Sequence, residues 1–159
     1  AALAGLAQLI STGDTEAKLN AFMADTYAAI VSDSASQAQL GHGVRVIANS
    51  AGSTLVHCAA GKDRTGLLVA IALRTVGVAT EAIEADYLES NRHADLQGSV
   101  ASLPGIDPAL LAPLRSVSLV ELHAAWSAIE ANFETWADFL TALDVSESDR
   151  DAPKQRLLN

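Results

Sequence analysis

Residues 54–66, TLVHCAAGKDRTG, carry the clearest fold signal in this chain, because their character changes twice within a few positions. The first four residues are short, apolar and β-branched, which is typical of a buried strand. A polar loop follows over residues 58–65, and from Gly66 the apolar spacing favours a helix to Val76, with Gly77 as its C′ residue. The predicted inward side chains of this helix are Leu67, Leu68, Ile71 and Leu73. The stretch therefore predicts a strand–loop–helix unit of an α/β protein.

The rest of the chain favours helices, since half of its residues are hydrophobic and Ala and Leu are strong helix formers. The predicted helices are residues 2–10, Asp14 to about Val31, Ser34 to about Asn49, Thr80 to about Asn91, Ser118 to about Asn132, one from Thr135 and one from Ser146. Ser34 is the predicted cap of its helix, and Ser118 with Glu121 forms a capping-box pattern. In the helix from Asp14, one face at helical spacing carries Leu19, Phe22, Met23, Tyr27 and Ile30. Residues 95–117 are rich in Gly and Pro and predict a loop with short helical turns. A single buried strand needs partners for its backbone groups, so we expect the other strands to lie upstream of Ala1.

Composition excludes several classes of protein. Ten Lys and Arg residues against nineteen Asp and Glu give a formal charge of −9, which disfavours binding to nucleic acid. Cys58 is the only cysteine, so no internal disulfide can form. No apolar run is long enough for a membrane span, and no basic segment precedes the apolar start as in a signal peptide. We expect a cytoplasmic protein without stable membrane insertion, and secretion without a cleavable signal peptide stays open.

The loop has the composition of a site that binds phosphate and attacks it. Five residues separate Cys58 from Arg64, so the loop can close with the sulfur beneath a nest of backbone N–H groups. Gly61 allows the tight backbone path with positive φ that this closure needs. The following helix directs its N-terminal dipole at the same point. Arg64 suits the rim because its planar fork binds two phosphate oxygens at once. These groups favour the Cys58 thiolate, which can attack phosphorus and form a phosphocysteine.

The neighbouring side chains fit the same chemistry. Thr65 can donate its hydroxyl to the sulfur, and His57 can orient the loop by a hydrogen bond to the backbone. Lys62 adds positive charge at the predicted rim. A carboxylate beside a bound phosphate is unfavourable unless it is protonated or aimed at the leaving oxygen, so a protonated Asp63 is the candidate general acid. The predicted phosphate-binding residues are Ala59, Ala60, Gly61, Lys62, Asp63 and Arg64.

Residues 57–66 match the His-Cys-x5-Arg-Thr-Gly signature and resemble the cysteine-based protein tyrosine phosphatase superfamily. The fuller form, HCxxGKDRTG, resembles a bacterial subgroup of the mycobacterial PtpB type. Two weaker likenesses lie downstream: residues 85–91, ADYLESN, resemble that subgroup's DYLLSN-type helix, and residues 132–136 resemble its turn near the C-terminus. The ten-residue loop is the specific part of the resemblance, which covers roughly residues 22–158.

The resemblance implies a helix-rich α/β phosphatase domain around a small, largely parallel sheet, and we expect the N-terminal part of this domain upstream of Ala1. Residues 1–159 would form the C-terminal portion of this single domain. It also implies a metal-independent protein tyrosine phosphatase that needs no cofactor and acts on phosphorylated protein. The Lys62-Asp63 pair resembles lipid-phosphatase loops as well, so a phosphoinositide substrate stays an alternative.

The sequence leaves three alternatives for the general acid. Tyrosine phosphatases often carry the acidic Asp on an upstream loop, but the upstream candidates Asp14, Asp25 and Asp33 lack a Trp-Pro-Asp context. The acid is therefore Asp63, or it lies on sequence upstream of Ala1, or activity is impaired. In the last case the chain is a non-catalytic phosphate- or phosphopeptide-binding fragment or a pseudophosphatase.

Overall fold

A computed structural model describes residues 15–93 and 112–157 of the protein, and this part of the chain forms eight helices. They are α1 (Thr15–Ser32), α2 (Ser34–Asn49), α3 (Asp63–Thr75), α4 (Thr80–His93), α5 (Ala112–Arg115), α6 (Leu119–Asn132), α7 (Trp136–Ala142) and α8 (Glu147–Leu157). None of these described helices combines the length and the apolar character that crossing a membrane requires.

The predicted α/β fold class is wrong for the described residues, which contain helices and no strand. Residues 53–58 carry no regular secondary structure, and no described strand pairs with them. The Leu55 side chain is 88% exposed, so the apolar run that predicted a buried strand is not buried. Strand preference measures how well a side chain fits a half-buried sheet surface, and here the β-branched sequence meets no such surface.

Most helix boundaries follow their local signals. Capping boxes begin α6 at Ser118 with Glu121 and α7 at Thr135 with Asp138, and the first of these was predicted in full. Gly77 ends α3 with a positive φ of 87°, as its C′ position predicted. The predicted helix at residues 2–10 and most of the predicted loop at 95–117 lie outside the described residues.

Two helix starts differ from the prediction. The N-cap of α2 is Asp33, whose side chain accepts from the Ser36 N–H at 2.8 Å, so Ser34 is already inside the helix. Helix α3 begins at Asp63, three residues before Gly66. The reason is visible at Gly66, whose N–H donates to the Lys62 carbonyl at 2.7 Å and so closes the first helical turn within the loop motif.

The core lies between α1 and α6, which make the most extensive contact between described helices. One stripe of α1 is buried at four-residue spacing and consists of Leu19, Met23, Tyr27 and Val31. Phe22, which was predicted to face inward, is 45% exposed instead. Facing this stripe, α6 buries Leu122, Ala125, Trp126 and Ile129. This packing fixes Tyr27 in the interior, with its hydroxyl within hydrogen-bond distance of Asp63.

Helix α2 is held in place from the opposite side by the end of α7. A Cβ on Gly41 would lie 1.8 Å from the Leu143 carbonyl oxygen, so only glycine permits this approach. The Arg45 guanidinium donates to the carbonyls of Leu143 and Asp144 at 2.9 and 2.7 Å. Carbonyls at a helix C-terminus lack helical partners, and Arg45 satisfies two of them. Helix α2 is therefore held firmly in place, and it lines one side of the cleft at Cys58.

Candidate active site

The loop at residues 58–62 leads from the extended segment into α3. Gly61 has φ +70°, and an added Cβ would meet nothing within 4 Å, so this glycine is required by backbone conformation and not by space. The predicted positive φ at Gly61 is thereby confirmed. Lys62 is the N-cap of α3 but provides no side-chain cap. The first N–H groups of the helix are therefore not satisfied by a capping side chain.

The Cys58 thiol is half-buried and surrounded by donors. Burial alone would raise its pKa. The Thr65 hydroxyl and the backbone N–H groups of Thr65, Gly61 and Ala60 outweigh that effect and lower the pKa of Cys58 to about 7. The Thr65 hydroxyl is buried and has no hydrogen bond of ordinary geometry to another described residue, so the sulfur is the acceptor left for it. A large fraction of Cys58 is thus thiolate near neutral pH.

A cleft of about 450 Å³ opens above this sulfur. Cys58, Arg64, Thr65 and His57 line it from the loop side, and α2 supplies Ser36, Gln39 and Leu40. Arg64 is exposed, and no described carboxylate lies within ion-pair distance of its guanidinium. His57 is exposed, and its Nδ1 lies 3.4 Å from the Cys58 carbonyl oxygen, a long contact. A second, apolar cavity of about 310 Å³ between α2 and α3 contains neither Cys58 nor Arg64.

Lys62 turns away from the predicted rim. It is only 3% exposed, and its ammonium donates to Asp63 Oδ1 at 3.1 Å and to the Ser116 carbonyl at 3.0 Å. A buried ammonium is stable only when it is paired and hydrogen-bonded, and both conditions are met here. The Lys62 side chain therefore joins the loop to the segment that precedes α6.

Asp63 is the first residue of α3, and its side chain is 26% exposed. Its Oδ1 accepts from Lys62 and also from the Tyr27 hydroxyl, at 3.2 Å. Among the described residues, none donates a hydrogen bond to Oδ2. The position also suits a negative charge, since the N-terminus of a helix attracts anions.

Tyr27, Tyr87 and Ser116 are contacts of the loop that sequence reasoning missed. The Tyr87 hydroxyl donates to the Tyr27 hydroxyl at 2.8 Å, and the two rings meet edge to face. A Cβ on Gly66 would lie 3.0 Å from two atoms of the Tyr87 ring, so this glycine allows α4 to approach α3. Both tyrosines belong to apolar helix stripes, where nothing in the sequence distinguishes a packing ring from a donating hydroxyl.

Asn91 secures the same region from α4. Its side chain donates to the Val117 carbonyl and accepts from the Val117 N–H, at 2.9 and 2.8 Å. Because Val117 follows Ser116, which accepts from Lys62, this clamp fixes the partner of the Lys62 ammonium. Within the described residues, no group of three or more His, Cys, Asp or Glu side chains could hold a metal ion.

Comparisons with known proteins identify relatives of this chain. The chain is 42% identical over 100 residues to a protein named as a tyrosine-protein phosphatase in Cupriavidus necator, covering 59% of this chain and 37% of that protein. It is 41% identical over 70 residues to the triple specificity protein phosphatase PtpB of Mycobacterium tuberculosis, covering 44% of this chain and 25% of that protein. The chain thus spans well under half the length of either relative. A family model described as the tyrosine phosphatase family matches residues 4–159, and the chain belongs to that family.

Proposed function

We propose that this protein hydrolyses phosphate monoesters of tyrosine in proteins through a phosphocysteine intermediate. The observation that carries the proposal is a half-buried thiol with a lowered pKa, facing a cleft also lined by Arg64, whose guanidinium forms no ion pair with a described carboxylate. Membership of the tyrosine phosphatase family supports it. The proposal takes residues 1–159 as one phosphatase-like domain with its phosphate loop at 57–66.

In the first step the Cys58 thiolate attacks phosphorus, an S–P bond forms, and the P–O bond to the tyrosine oxygen breaks. Arg64 binds two of the phosphoryl oxygens, and the backbone N–H groups of residues 59–64 stabilise the charge on them. The leaving oxygen takes the proton from Asp63 Oδ2, the oxygen not engaged by described side chains. The first products are a phosphocysteine, a free tyrosine hydroxyl and an Asp63 carboxylate.

In the second step water attacks the phosphocysteine and gives its proton to the Asp63 carboxylate. The S–P bond breaks, inorganic phosphate leaves and the thiolate returns. Thr65 stabilises the sulfur as a leaving group, because its buried hydroxyl has no other described acceptor and lowers the pKa of the Cys58 thiol. His57 holds the backbone at the start of the loop in this scheme. No metal or cofactor takes part.

The described site favours phosphoprotein over phosphoinositide as the substrate. The resemblance to lipid-phosphatase loops rested on the Lys62-Asp63 pair, in which the lysine would meet a second anionic group of the substrate. Lys62 is buried and bonded to Asp63 and Ser116, so its ammonium does not reach the cleft. We therefore do not extend the proposal to lipid substrates.

The test is to trap the intermediate. The protein is mixed with a phosphotyrosine peptide, quenched in acid and examined by mass spectrometry for one phosphate on Cys58. Cys58→Ser should show neither this adduct nor turnover, with activity lower by about 10⁴-fold or more. Undiminished hydrolysis by Cys58→Ser would overturn the proposal.

A second test addresses Asp63 as the acid. Asp63→Asn should slow hydrolysis of phenyl phosphate, whose leaving group needs a proton, far more than that of nitrophenyl phosphate, whose leaving group is stable as an anion. Equal loss on both substrates would assign the acid to another residue. Cys58 trapping with nitrophenyl phosphate should persist in this variant.

A phosphate-binding module without turnover is the second candidate. The observation that favours it is that segment 53–57 has no strand partner among the described residues. Calorimetry with a phosphotyrosine peptide distinguishes the two functions. Binding without release of inorganic phosphate would favour the module.

A further inference from the structure

A chain of hydrogen bonds runs from the buried side of the protein to the first residue of α3. The Tyr87 hydroxyl on α4 donates to the Tyr27 hydroxyl on α1 at 2.8 Å, and Tyr27 donates to Asp63 Oδ1 at 3.2 Å. Lys62 donates to the same oxygen and to the Ser116 carbonyl. Two donors therefore meet at one carboxylate oxygen; Tyr27 links it to α1 and, through Tyr87, to α4, and Lys62 links it to the segment before α6.

Burial makes these bonds obligatory. Tyr27 is fully buried, Tyr87 is 2% exposed and Lys62 is 3% exposed. A buried polar group without a partner is costly, so each donor is committed to the acceptor it has. Burial, together with the nearby Tyr87 and Asp63, raises the pKa of Tyr27 well above its usual range. Tyr27 therefore stays protonated and acts as a hydrogen-bond donor to Asp63.

The anchored residues lie between the donors that face the sulfur. Gly61 precedes Lys62 and Asp63, and Thr65 follows them after one further residue. Hydrogen bonding by the backbone N–H groups of Gly61 and Thr65 lowers the pKa of the Cys58 thiol. A rotation of the Lys62–Asp63 peptide would therefore move a donor on each side of it away from the sulfur.

We propose that Tyr27, held by Tyr87, is a positioning residue of the phosphate loop, and that its hydroxyl fixes Asp63 so that the loop N–H groups stay aimed at Cys58. This inference rests on the proposed function for its catalytic meaning. The two oxygens of Asp63 then have different roles: Oδ1 accepts the hydrogen bonds that anchor the loop, and Oδ2 carries the proton for the leaving group in the proposed reaction. Tyr27 itself lies behind the loop and touches no substrate.

The decisive variant is Tyr27→Phe, which removes one oxygen and keeps the buried ring. Two quantities are measured on the full chain: the rate of Cys58 alkylation by iodoacetamide against pH, and kcat and KM for nitrophenyl phosphate. The alkylation midpoint should rise by about half to one pH unit, since donors to the thiolate lower its pKa. We expect kcat to fall about tenfold, as for one hydrogen bond, with a smaller change in KM.

Matched variants separate positioning from general loss of stability. Tyr87→Phe should shift the midpoint in the same direction by less, because its hydroxyl acts on Asp63 only through Tyr27. Leu140→Val trims a buried side chain on α7 that is not part of this hydrogen-bond chain, and it should leave the midpoint unchanged. Thermal unfolding of each variant confirms that the comparison is made on folded protein.

A folded Tyr27→Phe protein with the wild-type alkylation midpoint would overturn the inference, even if it were less stable. If Tyr27→Phe does not fold, Tyr87→Phe decides in the same way. Alkylation reports on the thiol without any phosphatase turnover. A raised midpoint in a protein that never forms phosphocysteine would therefore uphold the positioning role while the proposed function fails.

Discussion

Two stretches on either side of Cys58 are held very differently by the described protein. The exit half (residues 61–66) is tied to α1 by Asp63, to the segment before α6 by Lys62 and to α4 by the close approach at Gly66. The entry segment (residues 53–57) has no described strand partner, and Leu55 is 88% exposed. Gly61 and Thr65, whose backbone N–H groups lower the pKa of the Cys58 thiol, both belong to the exit half.

This difference indicates that the conformation of the loop around Cys58 depends mainly on the contacts of α3, the helix that follows it. Buried side chains from three parts of the fold determine where α3 starts, and the N-terminus of α3 then determines where the donors lie. The entry segment delivers Cys58 and His57 but adds few described contacts of its own. Substitutions in the exit half should therefore have large effects, and those at exposed positions of the entry segment should have small ones.

Asp63→Ala should have the largest effect on stability. It leaves the buried Lys62 ammonium without its counter-charge and the Tyr27 hydroxyl without its acceptor. Removal of one partner of a buried pair costs about 3–5 kcal/mol, and we expect a loss in that range by urea unfolding. Asp63→Asn keeps an acceptor oxygen and should lose distinctly less. Equal losses for both variants would show that charge alone, without the hydrogen bonds, stabilises the exit half.

Arg64→Lys should have the largest effect on catalysis with little effect on stability. Lysine keeps the charge but cannot bind two phosphoryl oxygens in one plane, so kcat/KM should fall about 10²–10³-fold. Arg64 is exposed and has no described carboxylate partner, so the unfolding midpoint should stay close to that of the wild type. A loss below fivefold would mean that the guanidinium is not the phosphate clamp.

The helices were predictable because their signals are local. The Ser118–Glu121 capping box and the glycine at position 77 act within a few residues, and the structure confirms both. The strand at 54–57 was predicted from the same kind of local pattern and is wrong. A strand exists only through a partner, and sequence preference at Leu55 carries no information about whether one is present.

The candidate site divides in the same way. The spacing along the chain predicts that Cys58, Gly61, Arg64 and Thr65 belong to one loop. In the structure, Cys58, Arg64 and Thr65 line the same cleft, and Gly61 turns the loop between them with a positive φ. The inward turn of Lys62 and the hydroxyl of Tyr27 depend on contacts across 54 and 36 residues of sequence. The spacing of apolar residues does not reveal such contacts, because a buried tyrosine ring fits the apolar face of a helix whether or not its hydroxyl donates a hydrogen bond.

Gly66→Ala tests the close approach between α3 and α4. Alanine favours helix over glycine by about 1 kcal/mol, but here its Cβ would lie 3.0 Å from the buried Tyr87 ring. We expect a net loss of about 1–3 kcal/mol, as for overpacking, with a raised alkylation midpoint for Cys58. Gly52→Ala is the matched control in the preceding turn, where a Cβ meets nothing within 4 Å. A stabilised Gly66→Ala protein would show that Tyr87 is free to move.

The Cys58 thiol should make stability depend weakly on pH. Its pKa of about 7 in the folded protein is below the value of about 8.5 for a free thiol, so ionisation favours the folded state. This contribution is complete above pH 8.5 and is lost as the pH falls through 7. Cys58→Ser should thus lower the unfolding temperature relative to the wild type more at pH 9 than at pH 6. Equal differences at both values would mean that the donors of the exit half do not act on the thiolate.

Leu55→Ser should have the smallest effect, and it tests the comparison from the other side. An exposed substitution away from packing contacts changes stability by about 0.5 kcal/mol or less, and 88% exposure puts Leu55 in that class. The alkylation midpoint of Cys58 should also stay unchanged, because the exit half supplies most of its donors. A loss above about 2 kcal/mol, as for a buried apolar side chain, would show that the entry segment is covered in solution. The anion site would then be shaped from both sides of Cys58, and the contrast between the two stretches would no longer hold.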